Sequence, residues 1–114
     1  MAEERFKDGK LSGEGEYADG ERQGPWTFYF RNGAVKAHGS YRAGQLEGHW
    51  VWKRAGGGPL QEGAFVEGKQ HGPWRRWHSN GNLLDEGSYA HGKKTGEWVT
   101  YDKDGNESKR TRHR

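Results

Sequence analysis

The chain has no cysteine, which excludes disulfides and thiolate metal sites and suits a reducing compartment. Long apolar runs are missing as well. The opening Met1-Ala2-Glu3-Glu4-Arg5 is polar, without the apolar stretch of a signal sequence. No segment approaches the ~20 apolar residues that cross a bilayer, and the cytoplasm is the expected location. Apolar residues make up only 29% of the chain against 31% charged, a balance that on its own suits disorder. The six histidines, His38, His49, His71, His78, His91 and His113, show no H-x-x-x-H or Cys/His spacing, so neither a metal nor another cofactor is expected. No serine or carboxylate sits in a nucleophile elbow or a phosphate-binding glycine loop. A non-enzymatic protein is expected.

What the chain does have is a period. Trp26, Trp50, Trp74 and Trp98 are 24 residues apart, and each follows by two residues one of Gly24, Gly48, Gly72 and Gly96. The sets Tyr17, Tyr41, Phe65, Tyr89 and Gly15, Gly39, Gly63, Gly87 keep the same step, as do Gly20, Gly44, Gly68 and Gly92. A fixed period of this length marks a repeat architecture, whose units fold only by stacking on their neighbours. The 6 Trp, 5 Tyr and 4 Phe, held in register, outweigh the polar composition. Aromatic side chains bury much area per residue, so few of them build a thin core.

Each unit also carries a turn signal: Asp8-Gly9, Asn32-Gly33, Gly56-Gly57, Asn80-Gly81 and Asp104-Gly105. Such dipeptides favour two-residue type I′ turns, because both central residues need φ > 0. A turn at Asn32-Gly33 would set Trp26 opposite Gly39, Gly24 opposite Tyr41 and Phe30 opposite Val35. Each aromatic then lies across from a glycine, where its ring can cover bare backbone. The connection after Gly20 has two readings, a two-residue loop at Gly20-Glu21 or a four-residue loop over Gly20–Gln23. Both keep Tyr17 and Trp26 on one face.

The expected fold is all-β: an elongated, single-layer antiparallel meander of about ten short strands, on the order of 45 Å long at ~4.8 Å per strand. Residues 1–108 form the repeat domain, with a half unit at 3–12 and units starting near 13, 38, 62 and 86. One face carries Tyr17, Trp26, Phe28, Phe30, Tyr41, Trp50, Trp52, Phe65, Trp74, Tyr89 and Trp98. The other carries the sparser column Tyr29, Lys53, Trp77 and Tyr101 and is half solvated, as antiparallel sheets allow.

The unit from Gly87 to Gly105, with Tyr89, Gly92, Gly96, Trp98, Tyr101 and Asp104-Gly105 in place, resembles the MORN repeat, and more closely the bacterial variant found in YwqK-family antitoxin proteins. The second unit departs from it, with Lys53 in place of the Tyr and Gly56-Gly57-Gly58-Pro59 in place of the Asn-Gly turn. The resemblance implies a sheet of hairpins that binds proteins or membranes.

The partner-binding candidates are Tyr29, Trp77 and Tyr101, since aromatics on a solvated face are typical interface anchors. Contact between Trp77 and Leu84 is the structural alternative. Arg75 and Arg76 mix with aromatics as in an anion site, yet the pairing places them opposite Glu86 and Asp85. The tail 109–114 is basic: Lys109, Arg110, Arg112 and Arg114 supply all of the positive excess, because residues 1–108 hold 15 basic against 16 acidic groups. It could bind an anionic lipid surface or an acidic partner, or serve as a frayed solubilising end. The mixed charge of the body argues against nucleic acid. The function expected is a protein-interaction module, antitoxin-like or scaffolding, with a protein partner such as a toxin. Association with anionic membrane through the tail, a structural spacer, and a homodimer through the aromatic face are the alternatives.

Overall fold

A computed structural model describes all 114 residues. Ten strands form one sheet in chain order: β1 (Ala2–Arg5), β2 (Leu11–Ala18), β3 (Glu21–Tyr29), β4 (Val35–Arg42), β5 (Gln45–Lys53), β6 (Pro59–Val66), β7 (Lys69–Trp77), β8 (Leu83–Ala90), β9 (Lys93–Tyr101) and β10 (Glu107–His113). Every neighbouring pair is antiparallel, so the architecture is an open all-β meander. Its long axis is 43 Å, the span of nine steps at ~4.8 Å between ten strands.

The register follows the turn arithmetic through most of each hairpin: Gly24 pairs with Tyr41, Trp26 with Gly39 and Phe28 with Ala37. The turn itself is not type I′. Beyond Phe28 the register slips by one, Tyr29 pairs with Val35, and Phe30 lies outside β3. Within the Asp/Asn-Gly turn only Gly33 has a positive φ, 88°. Gly33 N donates to Phe30 O at 2.9 Å, and Phe30 N donates to Ala34 O at 2.9 Å. This is a three-residue loop in which a type I turn is closed by a left-handed glycine. Asn32 favours it because its Oδ1 accepts the Ala34 N–H at 2.8 Å, a bond that an L-residue makes without entering the left-handed region.

The type I′ turns occur at the opposite corners, at neither of the two places read from the sequence. Ala18 pairs with Glu21, leaving Asp19 (φ 54°) and Gly20 (φ 81°) as a two-residue turn. Ala43-Gly44, Glu67-Gly68 and His91-Gly92 repeat it. So tight a turn leaves two surplus residues, absorbed as a bulge: Glu16 pairs with Gln23, but Gly15 already pairs with Trp26. Gly24 and Pro25 fill that bulge, and Gly24 takes φ 74° there. Because the insertion is two residues long, side-chain alternation survives it.

The glycines therefore have two separate tasks. A Cβ at Gly24 would meet nothing within 4 Å, so that position serves backbone conformation and not the Tyr41 ring. A Cβ at Gly15 would stand 2.4 Å from the Trp26 ring, and Gly39, Gly63 and Gly87 are covered in the same way by Trp50, Trp74 and Trp98. Each indole thus lies over the glycine of the preceding strand, not over its partner across the Asn-Gly turn. There its Nε1 donates to the carbonyl of Glu16, Ser40, Ala64 or Ser88, at 2.9, 2.9, 3.1 and 3.0 Å. Both the ring and its polar edge are satisfied. The four tryptophans are 1–6% exposed.

A continuous row of ring contacts joins Tyr17, Trp26, Phe28, Tyr41, Trp50, Trp52, Phe65, Trp74, Tyr89 and Trp98 along one face. Their centroids lie 5.1 to 6.4 Å apart, within the range of favourable edge and offset geometries. Phe30 is not in the row; its ring meets the Lys36 ammonium at 5.9 Å. The single layer covers its own core.

Candidate functional site

The aromatic row is uniform, but the positions between its rings are not. The 24-residue step takes Phe28 to Trp52 and then to Arg76. It takes Ala37 to Gln61 and Asp85, and Leu46 to Gln70 and Lys94. One face therefore has an apolar region on β3–β5 and a polar one on β6–β9.

In the apolar region a concavity of about 360 Å³ opens over Phe28, Ala37, Tyr41, Leu46 and Trp52. Phe28 stacks on both Trp26 and Trp50, at 5.7 and 6.2 Å. At its rim the Arg22 guanidinium stands 5.0 Å over Phe28, 5.1 Å over Trp26 and 5.5 Å over Tyr41. Glu4 holds it there, its Oε1 accepting from Arg22 Nη2 at 2.6 Å and its Oε2 from Nε at 3.1 Å. The Arg22 hydrogen bonds, with a further one from the Tyr17 hydroxyl, keep the Glu4 carboxyl below its usual range despite partial burial.

In the polar region Arg76 clamps Asp85, with Nε to Oδ1 at 3.0 Å and Nη2 to Oδ2 at 2.5 Å. The Asp85 side chain is 6% exposed, against 51% for Arg76. This is the pairing expected from the register. The Arg75–Glu86 pair, also expected, forms at 3.3 Å on the opposite face.

That opposite face holds Tyr29, Trp77 and Tyr101, although Tyr29, at the end of β3, also lines the apolar concavity. All three are half-buried. Burial pushes the Tyr29 phenol upward, and the Glu14 carboxylate adds to the shift. Tyr101 Oη donates to Glu86 Oε2 at 3.4 Å. Trp77 pairs in register with Leu83, not Leu84, and its carbonyl accepts from Arg54 Nη2 at 2.9 Å. No ring contact links the three, and Lys53 stands in the column between Tyr29 and Trp77. The structure does not gather them into one patch.

The basic residues are divided too. Residues 109–113 belong to β10, which is paired along β9. Lys109 pairs with Thr100, on the aromatic face, whereas Arg110 and Arg112 pair with Val99 and Glu97, on the other. Arg110 is engaged by Glu97 and by Glu107, the latter at 2.5 Å, and these bonds raise its already high pKa. Lys109, Arg112 and Arg114 form no ion pair.

Reading the sequence for exposed aromatics passed over Leu46, Ala37, Gln61, Gln70 and Lys94. The available signal was the change of residue type within columns that are otherwise periodic.

Residues 22–43 and 70–91 each match the family described as MORN repeat variant. The two segments are the β3–β4 and β7–β8 hairpins, one from each region of the aromatic face. The unit between them is the one that departs at Lys53 and Gly56-Gly57. These two hairpins are therefore similar to MORN-variant repeats, which generally serve as binding modules. No curated protein matches the chain, so the likeness to YwqK-family proteins rests on the motif alone.

Proposed function

We propose that this protein is a non-enzymatic protein-binding module that seats an extended segment of its partner on the aromatic face. The observation that carries the reading is the concavity over Phe28, Ala37, Leu46 and Trp52. It is an apolar depression with a charged rim formed by Glu4, Arg22 and Lys36. Its floor is held by ring-to-ring contacts, with Phe28 resting on Gly13 and Trp50 on Gly39, so binding orders little of the module itself. One aliphatic or aromatic side chain buried there contributes about 1.5–3 kcal/mol, the scale of an interface anchor.

An antitoxin, a scaffold and a homodimer through this face are particular cases of that reading, differing only in the occupant. The column of Tyr29, Trp77 and Tyr101 is the competing surface, and anionic lipid at Lys109, Arg112 and Arg114 is the non-protein alternative. A photo-cross-linking residue placed at position 46, 77 or 112 separates the three. The expected result is adducts from position 46 to one protein, whose purified form loses at least about tenfold in affinity with Leu46→Glu. A purified partner that binds the Leu46→Glu variant as tightly as the parent chain overturns the proposal.

A further inference from the structure

The polar region of the aromatic face has unused binding capacity. A second concavity, of about 230 Å³, is lined by Gln61, Gln70, Arg76 and Lys94, with Trp74 and Trp98 as walls. Tyr89 and Asp85 complete it. Asp85 is the one acid, and the Arg76 clamp engages both of its oxygens. Arg76 Nη1, the Lys94 ammonium and the amides of Gln61 and Gln70 are left without a hydrogen-bond partner in the chain. All four can donate. Lys94 Nζ stands 4.6 Å over the Trp98 ring, a cation–π contact that fixes the ammonium on the wall of the concavity. Arg76 and Lys94 against Asp85 leave one net positive charge, on side chains that an anion can reach from solvent.

We propose that this concavity is a carboxylate-binding subsite that receives an acidic side chain of the partner segment. It rests on the reading that such a segment lies on the aromatic face. Planar amide and guanidinium donors match the two oxygens of a carboxylate, and Lys94 supplies the neutralising charge. The strand spacing also sets the partner's pattern. From β4, at the centre of the apolar concavity, to β8 is four steps, or ~19 Å, which is about six residues of extended chain. The segment fitted by this face has an apolar anchor and, about six residues away, an Asp or Glu.

The test is a titration of the ¹⁵N-labelled full chain with glutarate, followed through the Gln61 and Gln70 side-chain amides and the Trp98 indole. Glutarate is expected to give saturable shifts at these groups in the millimolar range, and uncharged glutaramide none. Lys94→Gln should weaken glutarate binding at least fivefold, Lys94→Arg should retain it, and Lys7→Gln, between β1 and β2 and outside the lining of this concavity, should leave it unchanged. Unaltered Trp26 and Trp50 indole signals in the variants, away from Lys94, show that the fold persists. Shifts that fail to saturate, that map instead to the arginines of β10, or that survive Lys94→Gln overturn the subsite. N-acetyl-tryptophanamide, titrated separately and followed at Trp50 and Trp52, reports on the apolar concavity alone, so failure of the subsite and failure of the docking reading are told apart. With both probes positive, an extended peptide carrying Trp and Glu six residues apart should bind more tightly than its Gln counterpart.

Discussion

The β3–β5 and β6–β9 regions of the aromatic face share one scaffold and differ in three columns. Trp50 lies over Gly39 and Trp98 over Gly87 with the same closest approach, 2.2 Å to a would-be Cβ. Both indoles donate to a strand carbonyl, at 2.9 and 3.0 Å. Between these fixed points one region carries Phe28, Ala37, Leu46 and Trp52, the other Arg76, Asp85, Gln70 and Lys94. The tryptophan, glycine and tyrosine columns hold the sheet together, which leaves the intervening columns free to set what the face recognises. Function in such an array is expected where the repeat differs from itself.

The largest expected effect tests the shared scaffold. Gly39→Ala and Gly87→Ala each force a methyl group into an indole that has no free side, and each should cost about 3 kcal/mol, the upper range for overpacking. Chemical denaturation should give the two variants equal losses within about 1 kcal/mol. A clear inequality would mean that the regions are not built alike.

A smaller effect probes the divergent columns. Arg76→Ala leaves the buried Asp85 carboxylate without its partner. Half exposure of Arg76 lets water compensate in part, so about 2 kcal/mol is expected where a fully buried pair would lose more. Arg76→Phe with Asp85→Ala copies the Phe28–Ala37 pair into the polar region. The double variant should be close to the parent in stability although each single change is destabilising, a coupling that a double-mutant cycle reads directly. Strict additivity would show that the two regions cannot be interchanged.

The smallest effect lies at the N-terminal rim, where Glu4–Arg22 is the counterpart of Arg76–Asp85. The pair is partly exposed, at 26% and 35%, and Glu4→Gln should cost less than about 1 kcal/mol at neutral pH. Since folding lowers the Glu4 pKa, its contribution is complete above the ordinary carboxylate range and is lost as pH falls through the folded value. Melting curves of parent and variant should therefore differ near pH 7 and converge in acid. Divergence toward low pH would contradict the assignment.

Much of this was legible from residue order. Five Asx-Gly or Gly-Gly turns at one spacing defined ten strands, and period-2 alternation separated the row from Tyr17 to Trp98 from the column of Tyr29, Trp77 and Tyr101. The Arg76–Asp85 and Arg75–Glu86 pairs followed from the same register. The turn types did not. Asn32-Gly33 suits a type I′ turn and a type I turn with a left-handed glycine equally, and hydrogen bonding across the whole hairpin selects the second. The bulge at Gly24-Pro25 left no trace in the alternation, because two inserted residues restore it.

By itself the sequence determined the strand count, the pairing order and, Phe30 apart, the contents of each face, since all three depend on local periodicity and on turns a few residues long. Only the tertiary structure decided which glycine each indole covers, because Trp26 has Gly15 on one side and Gly39 on the other and leans onto the first. It also decided that the basic residues of β10 divide between two faces, and that side chains of β1–β5 line an apolar concavity and those of β6–β9 a polar one on the same face. Those arrangements depend on how side chains far apart in the chain meet across the sheet, and residue order carries no direct record of that.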